Sequence, residues 1–182
     1  MEFLPTSLPD VILIKPTVFG DARGYFLESW QQQKFADAGI DANFVQDNHS
    51  HSSQWILRGL HYQIQNTQGK LVRVSRGAVF DVAVDVRRGS ATFGQWVGVE
   101  LNDTNHQMLW VPPGFAHGFV ALTENVDFMY KCTDVYAPQH ERCVRWNDPA
   151  IGIDWPIPAD VSPKLAARDA DAPLLADAQV FT

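Results

Sequence analysis

The sequence predicts a mainly antiparallel β protein, a jelly-roll barrel with short helices and an irregular C-terminal arm. Three observations carry that prediction. Short β-branched and aromatic runs recur along the chain, separated by Gly, Pro, Asn or Asp. Helical periodicity is confined to two short stretches. Between Arg58 and Val135 there is no room for the crossover helices that a parallel sheet requires.

In order along the chain, strands are expected at Val11 to Ile14 and Tyr25 to Trp30, and a short helix at Gln31 to Ala38. Leu57 to Gln63 reads as a strand carrying Arg58 and His61 on either side of Gly59. Further strands follow at Leu71 to Val74, Val79 to Val86, Trp96 to Leu101, Met108 to Val111, Gly118 to Leu122 and Val126 to Cys132. The tail from Leu165 to Ala178 has helical spacing that Pro173 interrupts. Residues 148–182 hold five prolines yet carry Ile151, Ile153, Trp155, Leu174 and Leu175, so they should lie against the barrel as an ordered arm.

Alternation assigns faces. Phe80, Val82, Val84 and Val86 point one way, and Asp81 and Asp85 the other. Val126, Phe128, Tyr130 and Cys132 oppose Asp127, Met129 and Lys131, which turns Tyr130 inward. Lys70 shares the parity of Val72 and Val74 and, opening its strand, should sit at the mouth of the interior.

A length of 182 residues fits one core, so residues 1–182 are expected to form one domain. The formal charge of −7 comes from 21 acidic against 14 basic residues, the latter scattered, which argues against nucleic acid as a partner. Met1 to Pro16 has neither the basic start nor the apolar stretch of a signal peptide, and no run approaches the roughly 18 apolar residues of a membrane span. A cytoplasmic location and no membrane partner are expected. Cys132 and Cys143 match no metal or redox spacing and are expected as reduced thiols.

Arg58 and His61 would face opposite sides of a regular strand, so a shared pocket for both requires a bulge at Gly59. Three cationic-capable groups, Arg58, His61 and Lys70, near an apolar interior call for an anionic partner. Pro112 to His117 has the form Pro-x-Gly-x-x-His and resembles the second motif of the cupin superfamily, small β-barrels that often bind a metal. His49-Ser50-His51 imitates the first motif, but it lies before Trp55 and no Glu follows at the expected distance. Lys70 stands where a carboxylate would be needed and would repel a divalent cation, so a barrel without metal is expected.

Seven stretches, spread in order over nearly the whole chain, are similar to dTDP-4-dehydrorhamnose 3,5-epimerases. They are Val18 to Glu28, Phe44 to Ser50, Leu57 to His61, Gly69 to Arg73, Phe93 to Trp96, Gly114 to Phe119, and Trp146 to Asp148 followed by Ile151 to Ile153. The resemblance implies a cofactor-independent isomerase that inverts C3 and C5 of dTDP-4-dehydro-6-deoxy-D-glucose. Both carbons flank the C4 ketone, so a base on one face, an acid on the other and a cation at the enolate oxygen suffice. It implies His61 as base, Asp169 as its orienting carboxylate, Tyr130 as acid and Lys70 at the oxygen. It further assigns Arg23, Arg58 and Arg168 to the diphosphate, with Phe26 on thymine and Glu28, Gln46, Asn48, His117 and Glu141 lining the sugar or nucleotide. The family also implies a homodimer whose N-terminal strands cross to the neighbouring subunit. The sequence leaves two alternatives open, an epimerase acting only at C3 or only at C5, and a sugar-nucleotide binder without catalysis.

Overall fold

A computed structural model describes all of residues 1–182. It contains thirteen strands and two short α-helices in two main antiparallel sheets. The strands of the first sheet run, edge to edge, β1 (Glu2–Pro5), β2 (Ile12–Lys15), β10 (Met108–Val111), β7 (Lys70–Arg76), β12 (Val126–Cys132) and β5 (Gln46–Ser52). The second runs β13 (Glu141–Cys143), β6 (Leu57–Gln63), β11 (Phe115–Ala121), β8 (Ala78–Asp85) and β9 (Trp96–Asn102). A separate hairpin of β3 (Val18–Asp21) and β4 (Gly24–Leu27) pairs only with itself.

Three apolar clusters explain the layering. Between the sheets lie Val72, Val74, Val79, Ala83, Leu101, Leu109, Phe119 and Phe128. The outer face of the six-stranded sheet, with Ile14, Leu71, Met108 and Trp110, is covered by Phe35 from α1 (Gln32–Asp37) and by Ile40. Burying a ring such as Phe35 contributes about 1.5–3 kcal/mol, enough to hold a helix too short to persist alone. The outer face of the five-stranded sheet, with Leu60, Val82, Val84, Val86 and Ala116, is covered by Ile151, Leu175 and Ala178 of the C-terminal arm.

The arm is tied down at defined points. Leu57 N–H donates to Lys164 O, and Lys164 N–H donates to Trp55 O, each at 2.9 Å. Buried Asp148 accepts the N–H groups of Ala150 (2.8 Å) and Leu175 (2.6 Å). These anchors set α2 (Ala167–Ala170) over the barrel mouth. Most expected strands are present, with three differences. The strand expected over Tyr25 to Trp30 stops at Leu27, and the helical spacing of the tail yields only the four residues of α2, because Pro173 and contacts to the sheet override a weak propensity. Strands β1, β3, β5 and β13 were not expected.

Candidate active site

The two sheets enclose a cavity of about 550 Å³ that opens beneath α2. Its chemistry starts with a backbone irregularity. His117 pairs with His61 but Phe119 pairs with Arg58, so β6 spends one residue more than β11 over that interval. The bulge falls at Gly59, whose φ is +135°, and a Cβ there would lie 2.6 Å from Gly118 Cα. It brings Arg58 and His61 to one cavity, as their spacing around Gly59 requires. It also frees the Gly59 N–H, which donates to Asp169 Oδ2 at 3.3 Å.

Asp169, on α2, is buried, and its Oδ1 lies 2.8 Å from His61 Nε2. Burial pushes its carboxyl upward, but the hydrogen bond from His61, the His61 charge and the Gly59 N–H outweigh this and hold it below the usual carboxylate range. A carboxylate only accepts, so Nε2 carries a hydrogen, and in the neutral imidazole Nδ1 then keeps a lone pair. The sequence separation of 108 residues is closed by the Lys164 anchor.

A second pair stands beside the first. His117, the cross-strand partner of His61, puts Nε2 2.9 and 3.1 Å from the two oxygens of Asp81, and both residues are buried. Burial raises the Asp81 carboxyl above its ordinary value, against the opposing pull of His117 and Lys70. His117 also stacks on Phe128, with ring centroids 6.0 Å apart.

The opposite wall supplies Tyr130 from β12 and Lys70 from β7. Burial raises the Tyr130 hydroxyl, with Cys132 reinforcing and Arg58 opposing, so the ring keeps its proton at neutral pH. Burial likewise lowers the Lys70 ammonium from its usual value, while Cys132, Glu141 and Asp81 pull the other way. Gln46, Asn48 and Ser50, alternate residues of β5, face the same cavity. His49 and His51 point away from it and share Asp127 Oδ1 at 3.3 and 3.1 Å, so the His-x-His is an outer-face feature. At the rim, Arg168 is paired with Glu141, and the exposed Tyr136 donates to Glu141 Oε2 at 3.0 Å.

The structure therefore places His61, Tyr130, Asp169, Lys70, Gln46, Asn48, Arg58, His117, Glu141 and Arg168 around one cavity. It does not bring Arg23, Phe26 and Glu28 to it. They lie on or just after the exposed β3–β4 hairpin, where Arg23 pairs with Asp21 and Glu28 with Lys34. Sequence reasoning missed Tyr136 and Asp81. Tyr136 sits in a polar loop with no periodic signal, and the strand parity of Asp81 gave its face but not its partner. Cys132 and Cys143 are free thiols on different sheets, and burial, reinforced by Asp169, pushes Cys143 up to about 12.

No helix is long and apolar enough to cross a membrane. The family model for dTDP-4-dehydrorhamnose 3,5-epimerase matches residues 5–177. The Pseudomonas aeruginosa dTDP-4-dehydrorhamnose 3,5-epimerase is 56% identical over 182 residues, covering 100% of this chain and 99% of that protein. The Salmonella typhimurium enzyme of the same name is 55% identical, covering 96% of each chain. The crystal structure of dTDP-6-deoxy-D-glucose-3,5-epimerase from Legionella pneumophila, in complex with dTDP-4-keto-L-rhamnose, superposes with a TM-score of 0.93 at 49% identity, covering 96% of this chain and 93% of that one. With a jelly-roll barrel of the cupin type and a family match along nearly its whole length, the chain belongs to the dTDP-4-dehydrorhamnose 3,5-epimerases.

Proposed function

We propose that this chain converts dTDP-4-dehydro-6-deoxy-D-glucose to dTDP-4-dehydro-L-rhamnose by inverting C3 and C5 through enolates, with His61 as the base and Tyr130 as the acid. The observation that supports these roles is the His61–Asp169 pair on one wall of the cavity, with Tyr130 and Lys70 on the other. His61 Nδ1 takes the proton from the carbon beside the ketone, and the electron pair left behind moves onto O4. Asp169 keeps the imidazole in the required tautomer and stabilises the imidazolium, as the carboxylate of a catalytic triad does. Lys70 offsets the charge at O4. Tyr130 then donates its proton to the opposite face of the carbon, which inverts the centre. A raised hydroxyl pKa suits a group that must be protonated before it donates. Inversion leaves Tyr130 as phenolate and His61 as imidazolium, and proton exchange with water resets both. The reaction is redox-neutral and calls for no cofactor.

Arg58 and Arg168 hold the diphosphate at the cavity mouth, and Gln46, Asn48, His117 and Glu141 line the sugar. The hairpin exposes Val18, Phe19, Tyr25 and Phe26, an apolar surface that a second copy of the chain would cover. In the homodimer we infer, that hairpin crosses over and brings Arg23, Phe26 and Glu28 to the neighbour's cavity, with Phe26 against the thymine. A nucleotide-sugar substrate supports a cytoplasmic location for the reaction. Incubation with the dTDP-4-keto sugar in heavy water, followed by NMR, tests the reading. Deuterium is expected at both C3 and C5; label at a single carbon, or none, overturns the double epimerisation. Light scattering that returns a monomer at micromolar concentration overturns the exchanged hairpin.

A further inference from the structure

His61 has a second neighbour that the proposed mechanism does not use. Cys143 on β13 is its cross-strand partner on the side away from His117, so the two side chains project from the same face of the sheet. Asp169 closes over both from α2, and one donor atom from each of His61, Cys143 and Asp169 can be chosen so that all lie within 4.8 Å of one another. We propose that this trio captures a thiophilic divalent cation, with Zn²⁺ as its type, and that occupancy switches the enzyme off by taking the catalytic base.

The donor set argues for the ion. One imidazole, one thiolate and one carboxylate are the nitrogen, sulfur and oxygen ligands zinc selects, and three protein donors leave a fourth position for water. Bonds of about 2.0–2.3 Å bring tetrahedral donors to roughly 3–4 Å from one another, so side-chain rotation suffices to close the present gaps. Asp169 can turn Oδ1 to the ion while Oδ2 keeps the Gly59 N–H. The charges balance as well, because thiolate and carboxylate together neutralise the dication. Arg168, whose Nε lies 3.5 Å from Asp169 Oδ1, works against capture, but its guanidinium is already engaged by Glu141. The trio departs from the metal centre of a cupin barrel, since His117 of the second motif takes no part and Cys143 and Asp169 lie outside both motifs.

The inhibitory half of the proposal rests on the reading of His61 as base; the binding half does not. On capture the Cys143 thiol releases its proton to solvent. The hydrogen on His61 Nε2 gives way to the ion, and a neutral imidazole bound to metal through Nε2 carries its hydrogen on Nδ1. The lone pair that removes the substrate proton is then gone.

The test uses untagged protein freed of chelator. Co²⁺ is added as a spectroscopic stand-in, and a thiolate-to-cobalt charge-transfer band in the near ultraviolet, removed by Zn²⁺, is expected. In the heavy-water assay Zn²⁺ should abolish exchange. Cys143→Ser and Cys143→Ala should keep the exchange rate without zinc and need about a hundredfold or more Zn²⁺ for the same inhibition, since even outer-shell partners of a metal are worth about 10–100-fold in affinity. Absence of the cobalt band overturns the site, and so do variants as zinc-sensitive as the parent chain. The band is read without turnover. An enzyme that binds cobalt through Cys143 but exchanges no protons would fail the proposed function and not this site, and a variant that does not fold leaves the parent's band to decide.

Discussion

Two histidine–carboxylate pairs stand side by side in this barrel, and they differ where chemistry would notice. His61 and His117 are cross-strand partners facing one cavity, and each turns Nε2 to an aspartate at 2.8–2.9 Å. Asp169 arrives from the C-terminal arm, on a four-residue helix, and takes a backbone N–H at the bulge as well as the imidazole. Asp81 comes from the middle of β8, fully buried, with His117 as its hydrogen-bond partner. The carboxyl is accordingly held below its ordinary range in the first pair and raised above it in the second. The same two residue types give an imidazole oriented as the proposed base requires where the carboxylate has a second donor, and a buried pair with a raised carboxyl where desolvation dominates.

Breaking the pairs one at a time should therefore produce opposite phenotypes. Asp169→Asn is expected to lower solvent exchange into the substrate by about 10⁴-fold, roughly 5 kcal/mol of barrier, because the amide no longer enforces the tautomer. Its cost in stability should stay near 1 kcal/mol, measured by urea unfolding. Asp81→Ala should do the reverse. It leaves the buried His117 without a partner and should cost about 3–5 kcal/mol of stability in the same unfolding experiment. If Asp81→Ala unfolds no more easily than the parent chain while Asp169→Asn does, the assignment of the two pairs is exchanged.

A third substitution sharpens the contrast from the other wall of the cavity. Lys70→Met removes the cation expected at the enolate oxygen without touching either pair. It should cost about 3–4 kcal/mol of barrier, a loss of roughly 10²–10³-fold in exchange, with substrate affinity changed far less. Equal losses at saturating and limiting substrate would support a role confined to the transition state. A loss carried by affinity alone would return Lys70 to simple substrate binding.

How much of this was legible beforehand depended on what each residue faces. Strand parity turned Tyr130 and Lys70 inward correctly, because one side of β12 and β7 meets the apolar space between the sheets. The need for a bulge at Gly59 was likewise readable from the three-residue spacing of Arg58 and His61. Strand β5 was not: its inward residues Gln46, Asn48 and Ser50 line a polar cavity, so the hydrophobic alternation that marks a half-buried strand is missing. On β8 both faces are buried, one by the barrel interior and one by the arm, so alternation separated Asp81 from the valines without saying which side holds a site. Asp169 could be reached only through family resemblance. Nothing in the local pattern of Ala166 to Ala170 says that a ladder at Lys164 will carry it to His61.

The smallest effect separates the pairs by pH. For Asp169 the folded-state pKa is depressed, so its contribution to stability is present above the unfolded carboxylate range and is lost as pH falls through the folded value. For Asp81 the folded pKa is raised, so the folded protein binds the proton more readily than the unfolded chain. Its contribution is then fully present below the unfolded pKa and is lost as pH rises through the folded one. Asp81→Asn keeps an acceptor for His117 while deleting the desolvated charge. It should leave stability in acid nearly unchanged and raise it modestly toward neutral pH, where Asp169→Asn should instead lower it. Unfolding curves for the two variants between the carboxylate range and neutrality should thus diverge from the parent in opposite directions. Parallel curves would mean that His117 compensates the Asp81 charge fully, and that burial alone does not distinguish the Asp81 pair from the Asp169 pair.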